Sequence, residues 1–118
     1  MGIEQHQQLR DRTKRFALRI IRLSQALPRN RETNVIGGQV LRSGTAVAAN
    51  YRAVGRARSK AEFVAKMGVV VEEADETVFW LEMLSDAGLV ESSRLAPLQK
   101  EANELLAIFS ASKRTARA

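Results

Sequence analysis

A chain of 118 residues carrying 19 Lys plus Arg against 13 Asp plus Glu has the length of one domain and a formal charge of +6, a balance that favours polyanionic partners. It contains no cysteine, which excludes disulfides, thiolate metal sites and cysteine nucleophiles and gives no sign of an oxidising compartment. The opening MGIEQHQQLRDRTKR lacks the apolar core of a signal peptide, and position 6 is His where a myristoylation signal has Ser or Thr. No apolar run approaches the ~20 residues of a membrane span, so a soluble, cytoplasmic protein without a membrane partner is expected.

Prolines occur only at 28 and 97 and no segment alternates like a strand, so the chain reads as all-α. Leu9, Thr13, Phe16, Ile20, Leu23 and Leu27 recur every three or four residues, which predicts an amphipathic helix over 9–27, stopped by Pro28. A second helix is predicted over 33–56. Its apolar positions are Val35, Ile36, Val40, Val47, Tyr51 and Val54, but Gly37, Gly38, Ser43, Gly44, Ala46, Ala48 and Ala49 make it thin. Each helical glycine costs about 1 kcal/mol relative to alanine, so this helix needs a closely packed neighbour to return that loss. Asn50, among alanines, reads as a register or packing determinant between helices, in preference to a ligand, with its amide satisfied internally.

SKAE at 59–62 has the pattern of a capping box and opens a third helix over 60–87. Phe63, Met67, Val70, Ala74, Thr77, Leu81 and Leu84 form its main stripe, with Val64, Val71 and Val78 beside it, so it should touch two helices before Gly88 stops it. Ser92 or Ser93 can cap a fourth helix over 93–112, with Pro97 in or near its first turn and Leu98, Ala102, Leu105, Leu106 and Phe109 on its stripe. The tail SASKRTARA has no apolar periodicity, and both termini are expected to fray. Four helices with short connections predict an antiparallel up-down-up-down four-helix bundle, a single domain over 1–118.

Catalytic material is scarce. His6, the only histidine, lies in a polar terminal segment and reads as solvated. Glu72, Glu73, Asp75, Glu76 and Glu82 lack the Glu-x-x-His pairs of a two-metal bundle and read as a solvated face pairing with nearby cations. GGQV lacks the Lys and Ser or Thr of a phosphate loop, and no serine has a base nearby. The expectation is a non-enzyme with no cofactor and no metal; a carboxylate-metal enzyme using Glu72, Glu73 and Glu76 would need stoichiometric metal in the purified protein.

Arginines dominate what remains. Arg12, Arg15, Arg19 and Arg22 fall three or four apart, so a helix collects them in a row beside its apolar stripe. Arg52, Arg56 and Arg58, with Lys60, surround the turn between the second and third helices, and Lys113, Arg114 and Arg117 add a third group. Guanidinium forks match phosphate oxygens, while aromatic interleaving for base stacking is missing, so RNA or DNA would be held by its backbone, salt-sensitively and with little sequence preference. The rival reading is a protein-interaction scaffold whose arginines pair with carboxylates of a partner. Val69, Trp80 and Met83 lie outside the assigned stripes and are candidates for a self-association interface, the alternative being that Trp80 closes the bundle end.

The run VLRSGTAVAANYRAVGRARSKAEFVAKMGVVVEEADETVFWLEML resembles the four-helix-bundle proteins encoded within intervening sequences of bacterial 23S ribosomal RNA genes. The corresponding residues are Leu41 and Arg42, the small run Ser43 to Ala49, Asn50, Arg56 and Arg58, Ser59 to Phe63, and Glu76 to Leu81, with FALRIIRLSQALP fitting the first helix. One departure is NYRAVGRARS, where many relatives have an Asn-Ile-Ala-Glu-Gly turn, so this chain is more basic there. The resemblance implies a bundle that assembles as a ring-like homopentamer. It also implies a related branch of accessory proteins of diversity-generating retroelements, in which a basic ring binds nucleic acid and a reverse transcriptase, and it implies no enzyme.

Overall fold

Helix-forming runs alternate with short stretches of turn chemistry, and the computed structural model, which describes residues 2–118, breaks at those stretches. Helices α1 (Ile3–Ala26), α2 (Arg31–Val54), α3 (Lys60–Asp86) and α4 (Ser92–Arg117) are joined at 27–30, 55–59 and 87–91. Leu27 is extended (φ −69°, ψ 142°), as the residue before a proline prefers. Asn30 then caps α2, its side-chain oxygen accepting from the Thr33 amide at 2.9 Å.

Ser59 accepts from the Glu62 amide at 3.0 Å, the first half of the predicted capping box. The Glu62 carboxylate instead lies 3.6 Å from Arg58 and 3.9 Å from Lys66. Gly88 ends α3 in the left-handed conformation (φ 69°), allowing the Leu89 amide to reach the Leu84 carbonyl and its own amide to reach Ser85, both at 3.0 Å. Neither Ser92 nor Ser93 caps α4. Its N-cap is Glu91, with no side-chain bond; Ser92 is helical and hydrogen-bonds Ser85 at 2.7 Å, and Pro97 lies inside the helix.

The ends are more helical than their sequence signals. α1 begins at Ile3 where residue 9 was expected, and α4 continues to Arg117 where 112 was expected. Tertiary contacts supply the difference. His6 reaches Tyr51, Lys113 packs across Gly68, and the Lys60 amine donates to the Ala118 carbonyl at 3.2 Å.

Each helix packs on its sequence neighbour, and a thinner seam between α1 and α4 closes the circuit. Contacts between the start of one helix and the end of the next, His6 with Tyr51 and Lys60 with Ala118, make the neighbours antiparallel. The core is the set of predicted stripes: Phe16, Ile20, Val40, Val47, Tyr51, Met67, Val70, Leu81, Leu84, Leu105 and Phe109 are all buried, and Tyr51 stacks on Phe109 with ring centres 5.4 Å apart.

The thin helix does what its glycines require. A Cβ added at Gly44 would stand 2.8 and 2.9 Å from Cγ1 and Cγ2 of Ile20, so α1 seats a branched side chain directly on the α2 backbone. On the opposite flank of α2, Ser43 donates to the Gln39 carbonyl at 2.8 Å, and buried Thr77 of α3 places its hydroxyl 2.9 Å from Ser43 and 2.8 Å from the Glu73 carbonyl. Asn50, expected to act between helices, instead makes its bond within its own, donating to the Ala46 carbonyl at 2.9 Å. Among the described residues there is no strand, and no helix is long and apolar enough to cross a membrane.

Candidate nucleic-acid interface

The structure divides the predicted arginine row of α1. Arg12 sends Nε to one oxygen of Glu101 at 2.8 Å and Nη2 to the other at 2.7 Å, and reaches Glu104 at 3.1 Å. This fork spans the α1–α4 seam. The Glu101 hydrogen bond raises the Arg12 pKa, and the same bond holds the Glu101 carboxyl below its ordinary range. Arg12 is therefore committed to closing the bundle. Arg15 and Arg22 remain exposed and Arg19 half-buried, and among the described residues none of the three forms an ion pair.

Glu101→Gln keeps the shape of this contact and removes its charge. Because the pair is partly solvated, we expect a loss of about 1 kcal/mol at neutral pH, or roughly 5 °C in Tm. The folded pKa of Glu101 lies below its unfolded value, so the contribution is present above the ordinary carboxylate range and is lost as pH falls through the folded pKa. Melting followed by circular dichroism should separate wild type from variant at about pH 7 and bring them together at about pH 3.

On the other side of α1, Arg52 is exposed and faces Arg10 and Lys14 across a groove between α1 and α2. Arg56 is exposed and unpaired among the described residues, and Arg58 has only a long contact to Glu62 at 3.6 Å. Pairing of Arg10 and Lys14 with Arg52 follows from the antiparallel register of two helices; the only advance signal was the four-residue spacing of the first two.

His6 is not the solvated residue its polar surroundings indicate. Its Nδ1 lies 3.0 Å from the hydroxyl of fully buried Tyr51, with ring centres 5.1 Å apart. Burial pushes the Tyr51 pKa up to about 12, so the phenol stays neutral. Burial, and then the charge of Arg10, lower the His6 pKa below 6.5. A lowered histidine pKa means that the folded state holds fewer protons, so stability is full above the unfolded value and declines as pH falls through it. Tm should drop between about pH 7.5 and pH 5, and His6→Gln should flatten that drop.

Of the predicted interface residues, Val69 is exposed while Trp80 and Met83 are half-buried. The sequence reading passed over Phe79, which is 49% exposed and set edge-on to Trp80 at 4.8 Å, and also Leu18 and Ile21, exposed on α1. The acidic face of α3 is partly paired as expected: Arg42 of α2 forks to Glu73 and Glu76, each at 3.1 Å. Among the described residues no three metal-ligating side chains converge.

The fold is similar to the crystal structure of a protein of unknown function from the S23 ribosomal protein family of Bacteroides thetaiotaomicron VPI-5482. Identity is 29%, the TM-score is 0.82, and the match covers 92% of this chain and 97% of that one. No curated protein matches the sequence. The family model described as 23S rRNA-intervening sequence protein matches residues 5–111, from the first turn of α1 well into α4, and the chain belongs to that family.

Proposed function

We propose that this protein is a non-enzymatic, oligomeric bundle that holds the phosphate backbone of RNA or DNA along the α1 flank bearing Arg15, Arg19 and Arg22. The observation that carries this reading is the division of the α1 cations. One arginine is neutralised by two carboxylates of α4, while the next three along the flank form no ion pair among the described residues, Arg19 acting on Glu101 only through space. Arg15 and Arg22 stand about 10 Å apart along the axis at 1.5 Å per residue, a span that covers successive phosphates. Arg52, Arg56 and Arg58 extend the positive surface around the end of the bundle.

Self-association belongs to the same reading. Exposed Val69 and Phe79, with half-buried Trp80 and Met83 beside them, have the chemistry of an interface core, and the family resemblance supports a ring-like homopentamer. A ring repeats the arginine row on every copy and so raises avidity for a long polyanion. Fluorescence anisotropy of a labelled structured RNA and a matched DNA duplex, titrated with protein at low and near-physiological salt, tests the binding. Affinity that falls steeply with salt supports it, and no binding at low salt favours the protein scaffold.

A further inference from the structure

We infer that the groove between α1 and α2 is a second, separate anion site, built for a multiply charged phosphate group. Small residues create it. Ala48 and Ala49 leave a concavity of about 310 Å³, over which the longer side chains of α1 stand, and Arg10, Lys14 and Arg52 all line it. Among the described residues none of these three cations is in an ion pair. The one carboxylate in the groove, Asp11, accepts from the Gln7 amide at 3.1 Å.

Three positive groups against one negative leave the groove with two uncompensated charges. Cations gathered around one concavity repel one another, and a compact polyanion relieves that repulsion while taking their N–H donors. The lining holds no aromatic ring, so nothing in it can stack a nucleobase or a sugar-linked ring. Recognition must come from charge and hydrogen bonding, which selects a run of phosphates: a free condensed phosphate, or the 5′-triphosphate end of an RNA.

This site is distinct from the arginine row of α1, although Arg52 also belongs to the positive surface that extends that row around the end of the bundle. The row shares the flank on which Arg12 meets α4, whereas Arg10 and Lys14 face α2. The two can therefore be disabled separately. Lys14 and Arg52 are exposed, so their replacement should leave the core untouched, and an unchanged thermal melt is the check on that.

Isothermal titration of the purified protein with sodium tripolyphosphate is the test. Saturable binding is expected, weakened roughly tenfold or more in Lys14→Gln/Arg52→Gln, because two charge-assisted contacts are lost. It should be unchanged in Arg15→Gln/Arg19→Gln. No binding, or equal weakening in both variants, overturns the site whatever becomes of the arginine row. The source is read from a second arm. Tighter binding of 5′-triphosphate RNA than of its 5′-hydroxyl counterpart, with the difference lost in Lys14→Gln/Arg52→Gln, assigns the groove to an RNA end; equal binding of the two RNAs with tripolyphosphate binding retained assigns it to a free anion.

Discussion

Gly44→Ala is expected to destabilise the protein by about 1–2 kcal/mol and Gly44→Val by about 3 kcal/mol, whereas Gly37→Ala should be neutral or mildly stabilising. All three substitutions remove a helical glycine, and on propensity alone alanine is favoured by about 1 kcal/mol. The difference lies in what the new Cβ meets. At Gly44 it would crowd Cγ1, Cγ2 and Cδ1 of Ile20 at 2.8, 2.9 and 3.2 Å, and Ile20 is fully buried with a branch fixed close to its backbone. At Gly37 it would meet only Cδ1 of Leu27, the tip of a half-buried side chain that can rotate away. Urea denaturation of the three variants measures this ordering. In an Ile20→Ala background every crowding atom is gone, so Gly44→Ala should lose its penalty, a coupling that a double-mutant cycle reads directly.

Arg15→Glu/Arg19→Glu/Arg22→Glu should reduce nucleic-acid affinity at low salt by two orders of magnitude or more while leaving the melt nearly unchanged. Each neutralised phosphate contributes about 0.9 to the slope of log K against log salt for duplex DNA and about 0.7 for single strands. Three reversed charges remove three such contacts and add repulsion against the neighbouring phosphates. None of the three arginines makes an ion pair among the described residues, and only Arg19 acts on a carboxylate, Glu101, through space, so the fold gives up little beyond that one long-range attraction. Arg12→Glu would have the opposite profile, placing a third carboxylate against Glu101 and Glu104 and opening the α1–α4 seam.

What the sequence shows clearly is what depends on neighbours three or four residues away. The stripes of α1, α3 and α4, the stop at Pro28, the Ser59 cap and the close-packed role of Gly37 and Gly44 are all local statements, and the structure places them as read, whereas Gly38 faces open space and is not close-packed. The extra turns at both ends depend on partners distant in the chain: a polar segment such as IEQHQQ becomes a fixed helix because His6 finds Tyr51. The division of the arginine row was equally hidden. Arg12 and Arg15 look alike in sequence, and only the arrival of Glu101 and Glu104 on α4 decides which one is spent on structure. Phe79 escaped notice because it lies outside both stripes of α3, and periodicity says which residues face the core rather than what an outward aromatic packs against.

The most direct test is the salt dependence of binding, measured by anisotropy on one labelled RNA for wild type and for Arg15→Glu/Arg19→Glu/Arg22→Glu. Wild type should bind at low salt with a steep negative slope, and the variant should bind far more weakly with a slope shallower by about two to three units. A wild type that does not bind, or a variant with the same affinity and slope, would contradict the assignment of the α1 flank to the phosphate backbone.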